Sequence, residues 1–148
     1  MKINSLFFST LFGLGYFEKF PGTLASFLSL FIIWMLKTNL NIHMVLICYI
    51  ICLIFSLFVV SESLKIIKTK DPKQIVIDEY MGQYTTLMFL PNELKFYVVG
   101  FILFRIFDIF KPFPINLVDR RDDAIGVIFD DILSGCFAGI IIYIFTII

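Results

Sequence analysis

Five of the twelve carboxylates occur in three short segments of the chain, and each segment adjoins apolar sequence. Two segments carry adjacent pairs, Asp78-Glu79 and Asp130-Asp131, and the third carries Asp108. Carboxylates at the ends of apolar helices are costly unless they are paired or bound to a cation. If the three segments converge, the five acids repel one another, and a hard divalent cation relieves that repulsion. Because Mg²⁺ prefers carboxylate and water oxygens together with substrate phosphate, the pattern predicts an Mg²⁺ site.

The two adjacent pairs are not expected to contribute all their members to one metal. Neighbouring helical residues point about 100° apart, since a turn has about 3.6 residues. We therefore expect one of Asp78/Glu79 and one of Asp130/Asp131 to face the metal. The other member of each pair could cap its helix, where capping and the helix dipole favour an acid.

Basic residues follow at helical spacing around Asp108. Arg105 and Asp108 are three residues apart and share a helix face, and Lys111 is three residues further on. A guanidinium group matches phosphate oxygens bidentately, so Arg105 could bind phosphate beside a metal-binding Asp108. The alternatives are a simple interfacial ion pair and, for Lys111, a side chain that reaches from the apolar region to water. Arg120 and Arg121 could anchor the chain or contact lipid headgroups.

A glycine- and proline-containing loop precedes the first apolar stretch. Gly13, Gly15, Pro21 and Gly22 lead into a predicted helix, and backbone N–H groups at a helix start bind anions. Thr23 and Ser26 place hydroxyl groups on its first turn, where they could act as caps.

Other phosphatase chemistries lack their residues. The single histidine, His43, is predicted to lie in a short loop on the opposite side, so a phosphohistidine intermediate is excluded. An activated thiolate needs nearby basic groups, whereas Cys48, Cys52 and Cys136 all lie in apolar stretches. The remaining mechanisms are metal-assisted attack by water and attack by an Asp followed by hydrolysis.

The elements that must hold these residues are membrane helices. The chain of 148 residues is 59% hydrophobic and 16% charged, against about 45–50% and 25% in soluble domains. We expect one domain, residues 1–148, and an all-α bundle of five spans in the membrane. Zero net charge does not indicate nucleic-acid binding. The predicted spans are Thr23–Leu36, Ile42–Val60, Ile75–Leu90, Leu94–Phe110 and Ile132–Ile148, with Pro91-Asn92 as the turn of a helical hairpin.

The basic residues predict the orientation. With the N-terminus in the cytoplasm, ten of the twelve Lys and Arg residues lie inside and two lie outside. The inside set is Lys2, Lys19, Lys65, Lys68, Lys70, Lys73, Arg105, Lys111, Arg120 and Arg121, and the outside set is Lys37 and Lys95. This topology brings every acidic segment to the cytoplasmic side at one depth, since the third and fifth spans begin there and the fourth ends there.

Four segments together resemble the phosphatidylglycerophosphatase A family in order and spacing. They are GLGYFEKFPGTLAS (Gly13–Ser26), VIDEYMGQ (Val76–Gln83), FRIFDIFKPFPI (Phe104–Ile115) with the following Asp119-Arg120, and GVIFDDILSG (Gly126–Gly135). The resemblance implies an Mg²⁺-dependent enzyme of the cytoplasmic (inner) membrane, with its site facing the cytoplasm. It would remove the terminal phosphate of phosphatidylglycerophosphate, giving phosphatidylglycerol and phosphate. The site residues carried over are Asp78, Glu79, Arg105, Asp108, Lys111, Asp130 and Asp131.

Two functions from other classes fit the sequence less well. A non-catalytic membrane protein, such as an ion-binding or transport subunit, would more naturally place its acids at mid-membrane than on one side. A lipid phosphotransferase that moves alcohol headgroups would need its spaced Asp/Gly/Ala-Arg pattern on one helix, and the sequence lacks that pattern. The oligomeric state is not predicted by the sequence.

Overall fold

Helices make up all the regular secondary structure in the described part of the chain. A computed structural model describes residues 2–67 and 72–147, and no strand occurs in these ranges. A 3₁₀ turn (Leu14–Tyr16) lies between the first two of seven α-helices. The helices are α1 (Lys2–Ser9), α2 (Pro21–Asn39), α3 (Ile42–Ile67), α4 (Ile77–Met88), α5 (Leu94–Phe110), α6 (Ile115–Asp119) and α7 (Ala124–Ile147).

Three of these helices, α2, α3 and α7, are long and apolar enough to cross a membrane. The all-α prediction is therefore confirmed for the described residues, whereas the five spans are not. Helix α5 has the predicted bounds and 17 residues, or about 25 Å at 1.5 Å per residue. Helix α4 has only 12 residues, about 18 Å, against about 30 Å for a hydrocarbon core.

Several helix boundaries differ from the prediction. Helix α7 begins at Ala124, eight residues before the predicted Ile132, so Asp130 and Asp131 lie in its second turn and not at its start. Hydropathy missed this turn because it reads charged residues as helix ends, although a charge buried inside the protein can lie within a helix. Helix α3 likewise continues to Ile67, and the short helices α1 and α6 were not predicted. Lys68, Lys70 and Ile148 lie outside the described residues.

Helix α4 is the centre of the bundle. Every residue from Met81 to Met88 is buried. The close packing of α4 against α7 depends on Gly135, because a Cβ there would lie 2.2 Å from the carbonyl oxygen of Gly82. Further along, Gly139 faces Thr86 in the same way, so α4 and α7 run parallel and begin at the same end of the molecule. This brings the acidic first turn of α4 close to the acidic second turn of α7.

The start of α4 is held by the N-terminal segment. The Val76 backbone N–H donates to the carbonyl oxygen of Ser9 at 3.0 Å, and a Cβ on Gly15 would collide with the backbone of Gln74. The Ser9 hydroxyl also lies 2.9 Å from the Ser63 hydroxyl of α3. The N-terminal helix and its turn therefore fix the segment from which the first acids project.

The opposite end of α4 is held by polar contacts from α2. Lys37 donates to the carbonyl oxygen of Leu87 at 2.7 Å and also to that of Leu90. Asn92, in the turn before α5, donates to the Thr38 hydroxyl at 2.9 Å. These contacts supply partners for the backbone where α4 ends.

Candidate active site

All seven predicted site residues line one cavity of about 840 Å³ at the end of the bundle where α2, α4 and α7 begin and α5 ends. The cavity is also lined by Phe20 and the first three residues of α2, by Ile109 of α5, by Asp119 of α6 and by Arg121, among others. Carboxylates outnumber cations around it. The site therefore carries an excess of negative charge inside an otherwise apolar protein.

Three carboxylates approach one another most closely. Asp78, Glu79 and Asp131 each offer an oxygen, and these oxygens lie within 4.8 Å of one another. Both members of the first pair thus join the cluster, where we expected one. Asp131 is almost fully buried, and its Oδ2 and the Glu79 Oε2 have no hydrogen-bond partner. Buried polar atoms are normally paired, so these two oxygens are available as ligands.

The donor set fits a hard divalent cation. Mg²⁺ and similar ions bind carboxylate oxygens and retain waters, and they relieve the repulsion of clustered acids. Asp78, Glu79 and Asp131 would hold such an ion. The Asp78 Oδ1 additionally accepts the Glu79 backbone N–H at 3.1 Å, which orients the Asp78 side chain at the helix start.

Asp108 is paired with Arg105. The Arg105 Nη1 lies 2.5 Å from Asp108 Oδ2, as the three-residue spacing predicts. The same nitrogen donates to the Ser26 hydroxyl at 3.4 Å, while the Arg105 Nε has no partner. Asp108 is therefore bonded to a cation already present in the protein. Its predicted role as a metal ligand stays a prediction.

Lys111 bridges two acids. It donates to Asp130 Oδ2 at 2.6 Å and to Asp119 Oδ1. Burial lowers the pKa of Lys111, but the hydrogen bonds to Asp119 and Asp130 outweigh burial, so its pKa lies above the ordinary value. The ammonium group is thus charged at every physiological pH. Asp130 Oδ1 has no partner, so this acid retains one free acceptor beside the cluster.

Helix α2 begins against the acidic cluster. A Cβ on Gly22 would lie 1.9 Å from the Glu79 Oε1, so only glycine allows the carboxylate this close. Pro21 occupies the first turn, where it suits a helix start. Phe20 stands at the N-cap position of α2, and no side chain caps the helix there. The Ser26 hydroxyl donates to the Gly22 carbonyl oxygen at 2.9 Å and not to the cap. Ser26 is therefore not a cap, and the helix start faces the cavity.

Sequence reasoning missed Asp119 and Ser26 as partners of the site cations. Asp119 follows the segment Phe104–Ile115 and is the last residue of α6, and only the fold of α6 brings it to Lys111. Arg121 also lines the cavity but pairs with Asp123 at 2.6 Å. Asp123 accepts the Gly126 backbone N–H at 2.9 Å, and Arg121 and this bond lower its pKa to about 2.

Comparison with known proteins identifies the family of the chain. The family model described as phosphatidylglycerophosphatase A matches residues 7–146. A phosphatidylglycerophosphatase A from Escherichia coli strain K12 is 33% identical over 134 residues, which are 89% of this chain and 77% of that protein. The enzyme of the same name from Haemophilus influenzae is 29% identical over 89% of this chain and 82% of its own length.

A third relative covers less of the chain. A Bacteroides thetaiotaomicron protein, provisionally named a phosphatidylinositol-3-phosphatase, is 36% identical over 76 residues, about half of each chain. No solved structure matches significantly. The chain belongs to the phosphatidylglycerophosphatase A family.

Proposed function

We propose that this member of the family hydrolyses the terminal phosphate monoester of phosphatidylglycerophosphate to phosphatidylglycerol and inorganic phosphate. The observation that carries the proposal is the single cavity that joins the five carboxylates to Arg105 and Lys111 at one end of an apolar bundle. A membrane lipid can present its headgroup there while its acyl chains stay in the bilayer.

We propose Mg²⁺ as the cofactor, held by Asp78, Glu79 and Asp131. When bound, the ion offsets the negative charge of the acids and of the phosphate and activates the phosphoryl group. The chain's own cations act on the same group. Arg105 has one guanidinium nitrogen without a partner, and Arg105 can bind phosphoryl oxygens as their charge develops. The backbone N–H groups at the start of α2 favour the same anion.

Hydrolysis breaks the bond between phosphorus and the glycerol oxygen and forms a bond between phosphorus and a water oxygen. The water proton passes to a site carboxylate acting as base. Asp130 Oδ1 has no hydrogen-bond partner, and Asp130 is not one of the three proposed Mg²⁺ ligands, so it can accept this proton. The glycerol oxygen takes up a proton as it leaves, from the same carboxylate or from solvent, so the carboxylate is ionised again at the end of the reaction. Lys111 keeps Asp130 in place through its ion pair and stays charged throughout.

We propose the following topology. The N-terminus and the site face the cytoplasm at the inner membrane, and the α4–α5 hairpin enters the bilayer with the three long helices to give five inserted helices. The excess of Lys and Arg predicted on the cytoplasmic side supports this orientation. Lys37 supports the short α4, because it supplies donors to carbonyl groups that end inside the apolar layer.

The test is phosphate release from purified protein in detergent micelles with phosphatidylglycerophosphate, in Mg²⁺ and in EDTA. We expect release that needs Mg²⁺ and falls at least a hundredfold in Asp131→Asn, the size of a lost general base or ligand. Asp123→Asn is the matched control, because it makes the same change at an exposed acid, and Asn can still cap α7. Full activity of folded Asp131→Asn, or equal loss in both variants, would contradict the assignment.

The same assay with phosphatidylinositol 3-phosphate tests a second substrate. The Bacteroides relative carries the name of an enzyme for that lipid and matches about half of this chain. We expect kcat/KM to be higher for phosphatidylglycerophosphate. The reverse order would move the proposed substrate to the inositol lipid and leave the site chemistry unchanged.

A further inference from the structure

One residue on each side of the cavity mouth also begins an exposed apolar stripe. Phe20 and Ile109 both line the cavity, yet their side chains are 76% and 64% exposed. Phe20 stands directly before α2 with a φ of 54°, a left-handed conformation that is uncommon for a residue with a bulky side chain. Such backbone strain is most often found at functional positions.

The stripe on α2 starts at Phe20 and follows the helical repeat. Leu24, Phe27 and Phe31 are all exposed and share one face at spacings of three and four residues. The stripe on α5 runs back from Ile109 through Ile106 and Ile102 at the same spacing, and both are exposed. Each helix therefore carries an apolar face away from the charged cavity towards the opposite end of the bundle.

The two stripes lie side by side. The rings of Phe27 on α2 and Phe101 on α5 meet edge to face, with centroids 6.2 Å apart. Phe27 is seven residues from Phe20, and Phe101 is eight residues from Ile109, so both lie about 10–12 Å from the cavity mouth. Phe101 is the neighbour of Ile102 in the α5 stripe, so the contact shows that α2 and α5 are adjacent where their stripes run. We call the two stripes together the track; its end at Phe20 and Ile109 lines the cavity.

We infer that the track between α2 and α5 binds the acyl chains of the substrate lipid and delivers its headgroup to the cavity past Phe20 and Ile109. The inference rests on the proposed function and specifies the part of the lipid that the charged site leaves unbound. Acyl chains are the expected occupant because the track is continuous with the cavity. When the phosphate group of the lipid is in the cavity, its two attached acyl chains must extend out of the cavity along an apolar surface.

A second cavity offers an internal comparison. It has a volume of about 510 Å³, lies between α4 and α7, and is lined by residues that include Thr85, Cys136 and Ile140, with no charged residue in its lining. Nothing charged in that lining could hold a phosphate group. Ile140 is nevertheless as exposed as the residues of the track. It therefore provides a matched control position.

The test measures chain-length selectivity, defined as kcat/KM for dioleoyl-phosphatidylglycerophosphate divided by kcat/KM for the dihexanoyl lipid in the same micelles. The short chains of the dihexanoyl lipid reach little of the track. We expect Leu24→Trp and Ile106→Trp, each one turn from the cavity mouth, to lower the selectivity about tenfold. Ile140→Trp should leave it unchanged. Unchanged selectivity in the two folded track variants, or a fall in Ile140→Trp, would overturn the inference.

A binding measurement separates failure of the track from failure of the proposed function. In a background where the three native cysteines are replaced by Ala, Leu24→Cys and Ile140→Cys are labelled with a membrane-soluble maleimide. We expect dioleoyl-phosphatidylglycerophosphate, but not dioleoyl-phosphatidylcholine, to slow labelling at position 24 several-fold and not at position 140. If the protein hydrolyses neither dioleoyl- nor dihexanoyl-phosphatidylglycerophosphate, the proposed function fails, while protection from labelling still tests the track. Equal protection by both lipids would contradict the track even in an active enzyme.

Discussion

The two ends of the bundle differ in whether their polar groups have hydrogen-bond partners. At the end where α4 stops, Lys37 donates to two backbone carbonyl groups, and Asn92 both donates to Thr38 and accepts from Tyr97 at 2.7 Å. At the end where α4 begins, several buried polar atoms lack hydrogen-bond partners. They are Glu79 Oε2, both polar atoms of Gln83, Arg105 Nε, Asn116 Oδ1, Asp130 Oδ1 and Asp131 Oδ2.

The difference separates what holds the fold from what the site needs. A buried polar atom without a partner costs about 1–3 kcal/mol, so selection for stability alone would pair or remove it. The far end follows that rule, and its polar groups close the backbone of a short helix. The site end breaks the rule at the acids and the arginine that would contact a cation and phosphate. Variants at the two ends should therefore change stability and activity in different combinations.

Lys111→Met should have the largest effect on stability. It removes the cation that pairs with Asp130, whose side chain is almost fully buried, and loss of one partner of a buried pair costs about 3–5 kcal/mol. We expect the free energy of unfolding in detergent to fall by about 3 kcal/mol, with loss of phosphatase activity. Lys65→Met is the control, because the Lys65–Glu62 pair on α3 is exposed and such pairs contribute little. Equal effects of the two variants would show that the Lys111 bridge adds no stability.

The pH dependence of that bridge can be checked in the same measurement. The pKa of Lys111 is raised in the folded protein, so its contribution is complete below the ordinary value of 10.5 and is lost only as the pH rises through the higher folded value. The difference in unfolding free energy between wild type and Lys111→Met should therefore be constant from pH 7 to 9. A difference that shrinks in this range would contradict a raised pKa.

Lys37→Met should lower stability without lowering turnover. It leaves the carbonyl groups of Leu87 and Leu90 without their donor at the end of α4, which should cost about 1–3 kcal/mol. The kcat measured well below the unfolding temperature should match wild type, since Lys37 lies at the end opposite the cavity. A loss of kcat larger than the loss of folded protein would show that the two ends are coupled through α4.

Gln83→Leu should raise stability, by less than the losses expected for the two lysine variants. Gln83 is fully buried on α4, one turn beyond Glu79, and neither its amide nitrogen nor its amide oxygen has a partner. Replacement by an apolar side chain of similar size removes an unpaired amide, so the free energy of unfolding should rise by about 1 kcal/mol. Thermal unfolding in detergent is the measurement. A fall in stability would mean that Gln83 is bonded to a buried water.

The helices that carry the site could be predicted to different degrees. The bounds of α5 were predicted in full, because its apolar run is bordered by Pro91-Asn92 before it and by Pro112 after it. The start of α7 could not be read from hydropathy, since its first turns hold charged residues that the fold buries against α4. The five spans stay a prediction, since only α2, α3 and α7 are long and apolar enough to cross a membrane by themselves. Helix α4 is buried by its neighbours and needs neither the length nor the apolar surface of a lipid-facing helix.

The seven predicted site residues reached one cavity, but their pairing could not be predicted. Spacing alone indicated the Arg105–Asp108 pair, because three residues place both on one helix face. The Lys111–Asp119 and Lys111–Asp130 pairs depend on how α6 folds back against α7, which no local pattern encodes. The inclusion of both Asp78 and Glu79 in the acidic cluster depends on Gly22, whose missing side chain makes room for the second carboxylate.

The smallest expected effect lies at the rim of the site, where Asp123 is exposed and fully bonded. Asp123→Ala removes both the Gly126 N–H acceptor and the Arg121 partner, whereas Asp123→Asn retains an acceptor at the helix start. At pH 7 we expect the midpoint of thermal unfolding to fall slightly in the Ala variant and less in the Asn variant. Because the folded pKa of Asp123 is lowered to about 2, its ionised form stabilises the fold above the ordinary value of 3.8 and stops doing so as the pH falls from 4 to 2. The difference in thermal midpoint between wild type and the Ala variant should therefore narrow over that range. A difference in midpoint that stays constant would mean that Asp123 stabilises α7 through its hydrogen bond alone and not through its charge.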